Sequence, residues 1–408
     1  GINCSVGPGP MLGALERMVT VTEKPVCVQP NAGQPRLHEG RQLYLTSAEY
    51  MAEYAKRFVQ TGARVVGGCC GTSPEHVKAM AAAVRMQLPA RPAVVIAPHK
   101  TDPGQEPVER VATRDTTLLA QRIVDGRFPV SVELLPPRGW QAPKVLAAAA
   151  KLHQAGVECV NVPDGPRASC RMSNQALCLL IHQRVGIEVL PHYCCRDRNL
   201  LGMMSDILGL AAMDLHNVLL VTGDPPKMGD YPDATAVFDV DSIGLTNMVN
   251  RLNHGLDLGS NSIGRPTGYL IGVGVNPGAV NPDQELRRFE YKVEAGAEFA
   301  ITQPVFDQQL LADFLVRAEH CRIPLLAGIW PLVSYRNAQF MNNEVPGAKV
   351  PDAILERMRK TGTKEEGIAE GLAIARESVD AVRGMVQGIQ VAAPFGRYQL
   401  ALQVLEAV

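Results

Sequence analysis

The sequence predicts an α/β fold, its larger part a (β/α)8 barrel over residues 127–408. Two observations predict it. Eight short apolar segments follow residue 127: "PVSVELL", "VECVNV", "IEVLPH", "HNVLLV", "YLIGVGV", "EFAIT", "IPLLAGIW" and "GIQVAA". Helical patterns separate most of them, among them "PKVLAAAAKLHQAG", "NLLGMMSDILGLAAM" and "PDQELRRFEYKVEAG". Eight strands with helical crossovers over ~280 residues match the barrel's requirement; a doubly wound open sheet is the alternative, and the strand count favours the barrel.

The first ~90 residues carry a shorter α/β pattern. "GINCS" reads as a strand end, "MLGALERMV" has helical spacing, and "PVCVQPNAG" is a strand running into a loop. "TSAEYMAEYAKRFVQTGA" is a helix capped by Thr46 or Ser47. "ARVVGGCCGT" is a strand and turn, and "SPEHVKAMAAAVRMQL" a helix with Ser73 as cap and Pro74 in its first position. Cys4, the loop after Val28, and the pair Cys69 and Cys70 thus fall at carboxyl ends of strands, where parallel α/β sheets place ligands. Adjacent cysteines rarely bridge each other, but two thiolates on one turn can grip a soft metal, and tetrahedral zinc then needs further ligands. From about Leu88 to Gly126 the alternation breaks: Pro89, Pro92, Pro98, Pro103 and Pro107 interrupt a polar stretch containing one amphipathic piece, "TTLLAQRIVDG". Domains are accordingly expected at 1–92 and 127–408, with a linker over 93–126.

With 408 residues the chain can bury two cores, and a formal net charge of −1 suggests neither a nucleic-acid nor a membrane-surface partner. No apolar run approaches the ~18 residues of a spanning helix. Ten cysteines scattered through a long chain favour reduced thiols and a cytoplasmic setting. No signal peptide is visible; the chain has no initiator Met and opens on a strand end, so a fragment is expected.

A barrel carries its chemistry at the carboxyl ends of its strands. Those ends hold Glu133, Asp164, His192, Asp224, Asn276, Gln303, Tyr335 and Arg397, a set suited to a large, flat, polar heteroaromatic ligand. Glu133, in "SVELLPPR", reads plainly as a solvated or salt-bridged strand-end carboxylate. In an enclosed apolar mouth it would instead be a general acid with a raised pKa. In "PHYCCRDRN", His192, Cys194 and Cys195 look like metal ligands, but on a strand 192 and 194 share a face while 195 points away. "TGDPP" sets Gly223 beside Asp224 at a strand end, which suits close backbone approach to a ligand or a simple turn. "GVGVNPG" has the wrong spacing for a dinucleotide fingerprint, and the chain shows neither a P-loop nor a Ser-His-Asp arrangement.

Residues ~128–408 resemble methylenetetrahydrofolate reductase, through "VELLPPR", "LPHYCCRDRN", "LLVTGDPP", "ELRRFEYKVEAGAEFAITQPVFD", "AGIWPLVSYRNAQFM" and "APFGRYQLA". The resemblance implies FAD, a nicotinamide cofactor (NADH or NADPH) and reduction of methylenetetrahydrofolate to methyltetrahydrofolate. It implies Glu133 as catalytic acid and Asp224 as a second catalytic group near flavin and pterin. His192, Thr222, Gly223, Asp224, Asn276, Arg288 and Lys292 become cofactor neighbours, and Gln303, Tyr335 and Arg397 substrate contacts. Thr222 stands where some members have Arg, and Asn276 where some have Tyr. The first ~92 residues resemble the carboxyl-terminal part of a homocysteine S-methyltransferase, a second (β/α)8 barrel whose first five strands, roughly, are absent. That resemblance implies Cys4, Cys69 and Cys70 as zinc ligands, with the fourth position left to a substrate thiol; the alternative is three buried, inert cysteines. The implied partners are small molecules (methylenetetrahydrofolate, NAD(P)H, homocysteine), with neither nucleic acid nor membrane, and homo-oligomerisation stays open. Two rivals remain: a zinc methyltransferase as the main activity beside a folate- or flavin-binding barrel, and a non-catalytic homologue.

Overall fold

The computed structural model describes residues 1–33, 36–38, 41–43, 46–85, 109–345 and 347–406. The chain divides into two compact units, Gly1–Ala97 and Pro98–Val408. The five prolines behind the linker reading lie outside the described residues, as does the end of the expected 73–88 helix beyond 85.

In the first unit, strands Ile2–Asn3, Val26–Gln29 and Ala63–Val66 form a parallel sheet in that order, with Ile2 beside Val28 and Val28 beside Val66. Helices Pro8–Val19, Ala48–Thr61 and Pro74–Arg85 are its crossovers. Met11, Leu15, Val26, Val28, Phe58 and Ala63 close into one core. Of the two expected caps on the second helix, Ser47 serves, accepting from the Tyr50 amide at 3.3 Å. Pro74 does open the third helix, but the Ser73 hydroxyl meets His76 Nδ1 at 2.7 Å. A short antiparallel hairpin, Arg36–His38 with Arg41–Leu43, was not anticipated, because its segments carry no apolar alternation.

The second unit is a closed barrel of eight parallel strands: Val130–Glu133, Cys159–Val162, Glu188–Cys194, Asn217–Val221, Leu270–Val275, Phe299–Pro304, Leu325–Ile329 and Gly388–Val391. Each falls inside or within two residues of a segment expected from sequence. The first strand pairs with the eighth, Ser131 beside Gln390, which closes the sheet and excludes the open alternative. Side chains alternate across each strand. One set, including Val132, Val160, Val189, Val218, Ile271 and Ile389, packs outward against the helices. The other fills the lumen with Cys159, Leu190, Leu219, Leu270, Phe299, Ile301 and Leu326.

The segment read as the end of a linker is part of this unit. Leu118–Val124 is a helix, and its Leu119, Ala120 and Ile123 join the luminal cluster. The Glu188 carboxylate, at the amino end of the third strand, accepts from the Leu118 and Leu119 amides at 2.6 and 2.8 Å and so satisfies the helix's first free donors. The lumen is therefore stoppered at the amino ends of the strands. Among the described residues no helix is long and apolar enough to cross a membrane.

Candidate functional site

Alternation turns Ser131 and Glu133 of the first strand inward, because Val132 belongs to the outer core. Glu133 lies beside Asn161 of the second strand. Its carboxyl has no hydrogen-bond or ion-pair partner among the described residues, and burial alone pushes its pKa up to about 7. The same enclosure pushes His192 down to about 4, leaving a neutral ring with Nε2 3.5 Å from Asn161 Nδ2. Around these two groups the lumen holds buried polar atoms with no partner among the described residues: Ser131 Oγ, Asn161 Oδ1 and Gln390 Nε2. A protein interior rarely leaves such atoms unpaired. Together with the unpaired Glu133 carboxyl beside Asn161, they suit a flat ligand with a hydrogen-bonding edge.

Asp224 follows the fourth strand. Its Oδ2 accepts from the Arg167 amide at 2.9 Å and its carbonyl from Arg196 Nη1 at 3.2 Å. Gly223 sits at φ +94°, and a Cβ there would lie 2.9 Å from Cys194 Cβ, so this residue is glycine for two reasons. The Thr222 hydroxyl oxygen accepts from the Ser242 amide at 3.1 Å, at the start of the helix Ser242–Leu252.

The remaining expected residues have mixed placements. Lys292 is buried and donates from Nζ to the Gly274 carbonyl at 2.7 Å, with burial lowering its pKa. It thereby holds the carboxyl end of the fifth strand. Arg288 pairs with Asp241 at 2.9 Å, a link between two helices. The Asn276 amide donates to Glu285 at 2.9 Å. Gln303 is exposed and lines a shallow cleft with Pro277, Gly278, Phe306 and Lys349. Tyr335 is half-buried against a satellite core containing Phe306, Leu332 and Met341. The Arg397 guanidinium lies 6.0 Å from the ring of Phe395, an exposed residue.

The block "PHYCCRDRN" behaves as a strand end. Cys195 is buried in the outer core. Asp164, Cys194 and Asp197 bring ligand atoms within 4.8 Å of one another, but Arg198 already takes Asp164 at 3.0 Å and Arg196 takes Asp197 at 2.7 Å. That cluster is neutralised by protein cations. Sequence reasoning missed Ser131, Asn161, Gln390 and Arg196. For the first three a signal exists, a polar residue at an inward position of an apolar strand ("VSVE", "CVNV", "GIQV").

In the first unit, Cys4, Cys69 and Cys70 bring their sulfurs within 4.8 Å of one another. Cys4 Sγ lies 3.8 Å and Cys69 Sγ 3.9 Å from Cys70 Sγ. With metal–sulfur bonds of about 2.3 Å, the edge of a tetrahedral thiolate site is about 3.8 Å, so the trio fits one face of such a site. The backbone holds them there: the Cys69 amide donates to the Pro30 carbonyl at 2.7 Å, and the Cys70 amide to Asn31 Oδ1 at 3.2 Å. Gly68 has no room for a side chain, since a Cβ would lie 2.3 Å from Thr72 Oγ1. Hydrogen bonds from the Ser5 backbone, then from the other two thiols, lower the Cys4 pKa, whereas its bond to Cys4 raises that of Cys69. All ten cysteines are free.

Comparison with known proteins agrees with this division. Residues 118–392 match the family model for methylenetetrahydrofolate reductase, and residues 1–84 that for homocysteine S-methyltransferase. A methionine synthase of Mycobacterium leprae (strain TN) is 40% identical over 85 residues, 21% of this chain; the chain spans 7% of that relative's length. A 5,10-methylenetetrahydrofolate reductase of Pectobacterium carotovorum subsp. carotovorum is 25% identical over 219 residues, 53% of this chain and 68% of the relative. Among solved structures, an uncharacterized Clostridium thermocellum protein that binds two copies of 5-methyl-5,6,7,8-tetrahydrofolic acid aligns with a TM-score of 0.48 at 13% identity, covering 71% of this chain and 99% of that one.

Proposed function

The chain belongs to the methylenetetrahydrofolate reductase family, and we propose that its barrel reduces 5,10-methylenetetrahydrofolate to 5-methyltetrahydrofolate at the carboxyl ends of its strands. The observation that carries this reading is Glu133, an unpartnered carboxyl at the barrel mouth with a pKa of about 7. Such a group is protonated near neutrality and can give that proton to a ring nitrogen. FAD, held across the mouth by His192, Asn161 and the Thr222–Asp224 turn, would supply the two-electron hydride chemistry that links NAD(P)H to folate. The unpaired lumen atoms suit its polar edge, and neutral His192 adds no charge to the lumen.

In this scheme Glu133 protonates the folate nitrogen as the five-membered ring opens, and the one-carbon unit becomes a cationic iminium. The carboxylate of Asp224, held by the Arg167 amide while Arg196 holds the residue's backbone carbonyl, stabilises that positive charge through space. Gln303, exposed beside its cleft, with Tyr335 at the start of the helix Tyr335–Glu344 and Arg397 just before the helix Tyr398–Leu405, would orient the folate and the nicotinamide in turn. In the first unit, Cys4, Cys69 and Cys70 would hold Zn2+, whose chemistry when bound would be to acidify the thiol of homocysteine for methyl transfer. The spacing of the three sulfurs is what supports this second activity. Ten free thiols fit a reducing, cytoplasmic setting.

The test is direct. Protein reconstituted with FAD should absorb as a flavoprotein, bleach with NADH or NADPH under anaerobic conditions, and recover its colour on adding methylenetetrahydrofolate. Folded protein that takes up no flavin would refute the reductase reading.

A further inference from the structure

We infer that Arg196 is the positioning residue of the barrel mouth: it clamps three successive strand-end loops and fixes Asp224 in its working orientation. Arg196 is 4% exposed, rare for a guanidinium, and sits in the loop after the third strand. Nη1 donates to the Gly165 carbonyl at 3.3 Å, in the loop after the second strand. The same nitrogen donates to the Asp224 carbonyl at 3.2 Å, in the loop after the fourth. Its remaining face forms a bidentate pair with Asp197, both bonds 2.7 Å, which neutralises the charge beside the mouth. No lysine could make these contacts together, because one ammonium cannot span two carbonyls and both carboxylate oxygens in a plane.

The loop that Arg196 grips at Gly165 is strained. Gly165, Arg167 and Ala168 have φ of 48°, 57° and 52°, the left-handed region that residues other than glycine avoid. Strain of this kind persists only where its surroundings enforce it. Here the strained turn aims the Arg167 amide at Asp224 Oδ2, 2.9 Å away. Asp224 is thus held at both ends, its carbonyl by Arg196 and its carboxylate by a turn that Arg196 anchors. Such fixation lets a carboxylate meet developing positive charge without reorganising.

The inference rests on the reductase reading for what Asp224 does, and its test separates the two. Hydrogen exchange of the segment 163–170, followed by mass spectrometry in the flavin-free protein, reads the clamp alone. Arg196→Lys should speed exchange there at least ~10-fold; Arg196→Met, which keeps the apolar stem, should do the same if it folds. In the flavin-loaded protein, Arg196→Lys should slow reoxidation by methylenetetrahydrofolate at least ~10-fold, while reduction by NAD(P)H stays within ~3-fold. Added to Asp224→Asn, Arg196→Lys should cost less than ~2-fold further, because the residue acts through Asp224. Unchanged exchange would overturn the clamp. So would equal slowing of both half-reactions that multiplies with Asp224→Asn and follows the melting temperature, since that is the mark of a merely structural role. Protein that binds no flavin would overturn the reductase reading, and unchanged or faster exchange would still decide the clamp.

Discussion

Glu133 and His192 show how one enclosure sets two protonation states. Burial disfavours whichever form is charged, so it raises the acid to about 7 and lowers the imidazole to about 4. At neutral pH the mouth then carries a carboxyl that is about half protonated and a ring that is uncharged. Glu133→Gln keeps the shape but has no proton to release. Its reduction by nicotinamide should stay within roughly tenfold of the parent, while its reoxidation by methylenetetrahydrofolate should slow ~100-fold or more, as stopped-flow absorbance would read separately. In the parent, reoxidation should fall about tenfold per pH unit above ~7, as the acid form is lost. Stability follows with a definite sign. The folded pKa lies above the ordinary value of 4.5, so between 4.5 and about 7 the folded state binds more protons than the unfolded one. The parent therefore loses stability as pH rises through that window, and the Gln variant does not. Urea melts at pH 5 and pH 8 should show the variant's advantage growing with pH, by up to roughly 3 kcal/mol. A constant difference would mean that the carboxyl is solvated.

At the scale of elements, the barrel was legible because its strands are apolar runs with a polar residue after each, and nothing else in the chain repeats that pattern eight times. The luminal polar residues were half legible. Glu133 stood out by its motif, whereas Asn161 and Gln390 reveal themselves only once the closed sheet shows which face is inward. One element is unexpected, and another, the amphipathic piece "TTLLAQRIVDG", is visible but reads as part of a linker. The hairpin at residues 36–43 lacks alternation, and the helix Leu118–Val124 sits in a stretch whose prolines read as a linker. That helix has an apolar face with no visible destination in sequence, because its partners come from six different strands. Its burial predicts an asymmetry between neighbours. Leu119 is fully buried and Leu118 is 66% exposed. Leu119→Ala should cost the barrel ~2–5 kcal/mol in denaturant unfolding, and Leu118→Ala within about 0.5 kcal/mol of nothing. Equal effects would place the helix outside the core.

At the scale of the whole molecule, the limits of sequence reading lie in contacts between loops. Arg196 meets Gly165 and Asp224 only because the second, third and fourth strands lie side by side, and no local pattern announces that a guanidinium is buried among them. The cysteine trio is the opposite case, since adjacent cysteines between glycines are conspicuous, yet the third thiol comes from 65 residues earlier and only the sheet order unites them. These two sites belong to separate compact units, each with its own core. Metal chemistry in one should then be separable from redox chemistry in the other. Zinc-loaded protein should hold about one ion per chain, by atomic absorption, and Cys4→Ala, Cys69→Ala and Cys70→Ala should each lose most of it, because two thiolates leave the tetrahedral face incomplete. Chelation should likewise strip the metal. In every case both flavin half-reactions should stay within about twofold of the parent, since the units fold around independent cores. Loss of zinc together with an equal loss of flavin reduction would show that the first unit supports the barrel's fold. Retention of zinc after any single cysteine change would remove that thiol from the ligand set.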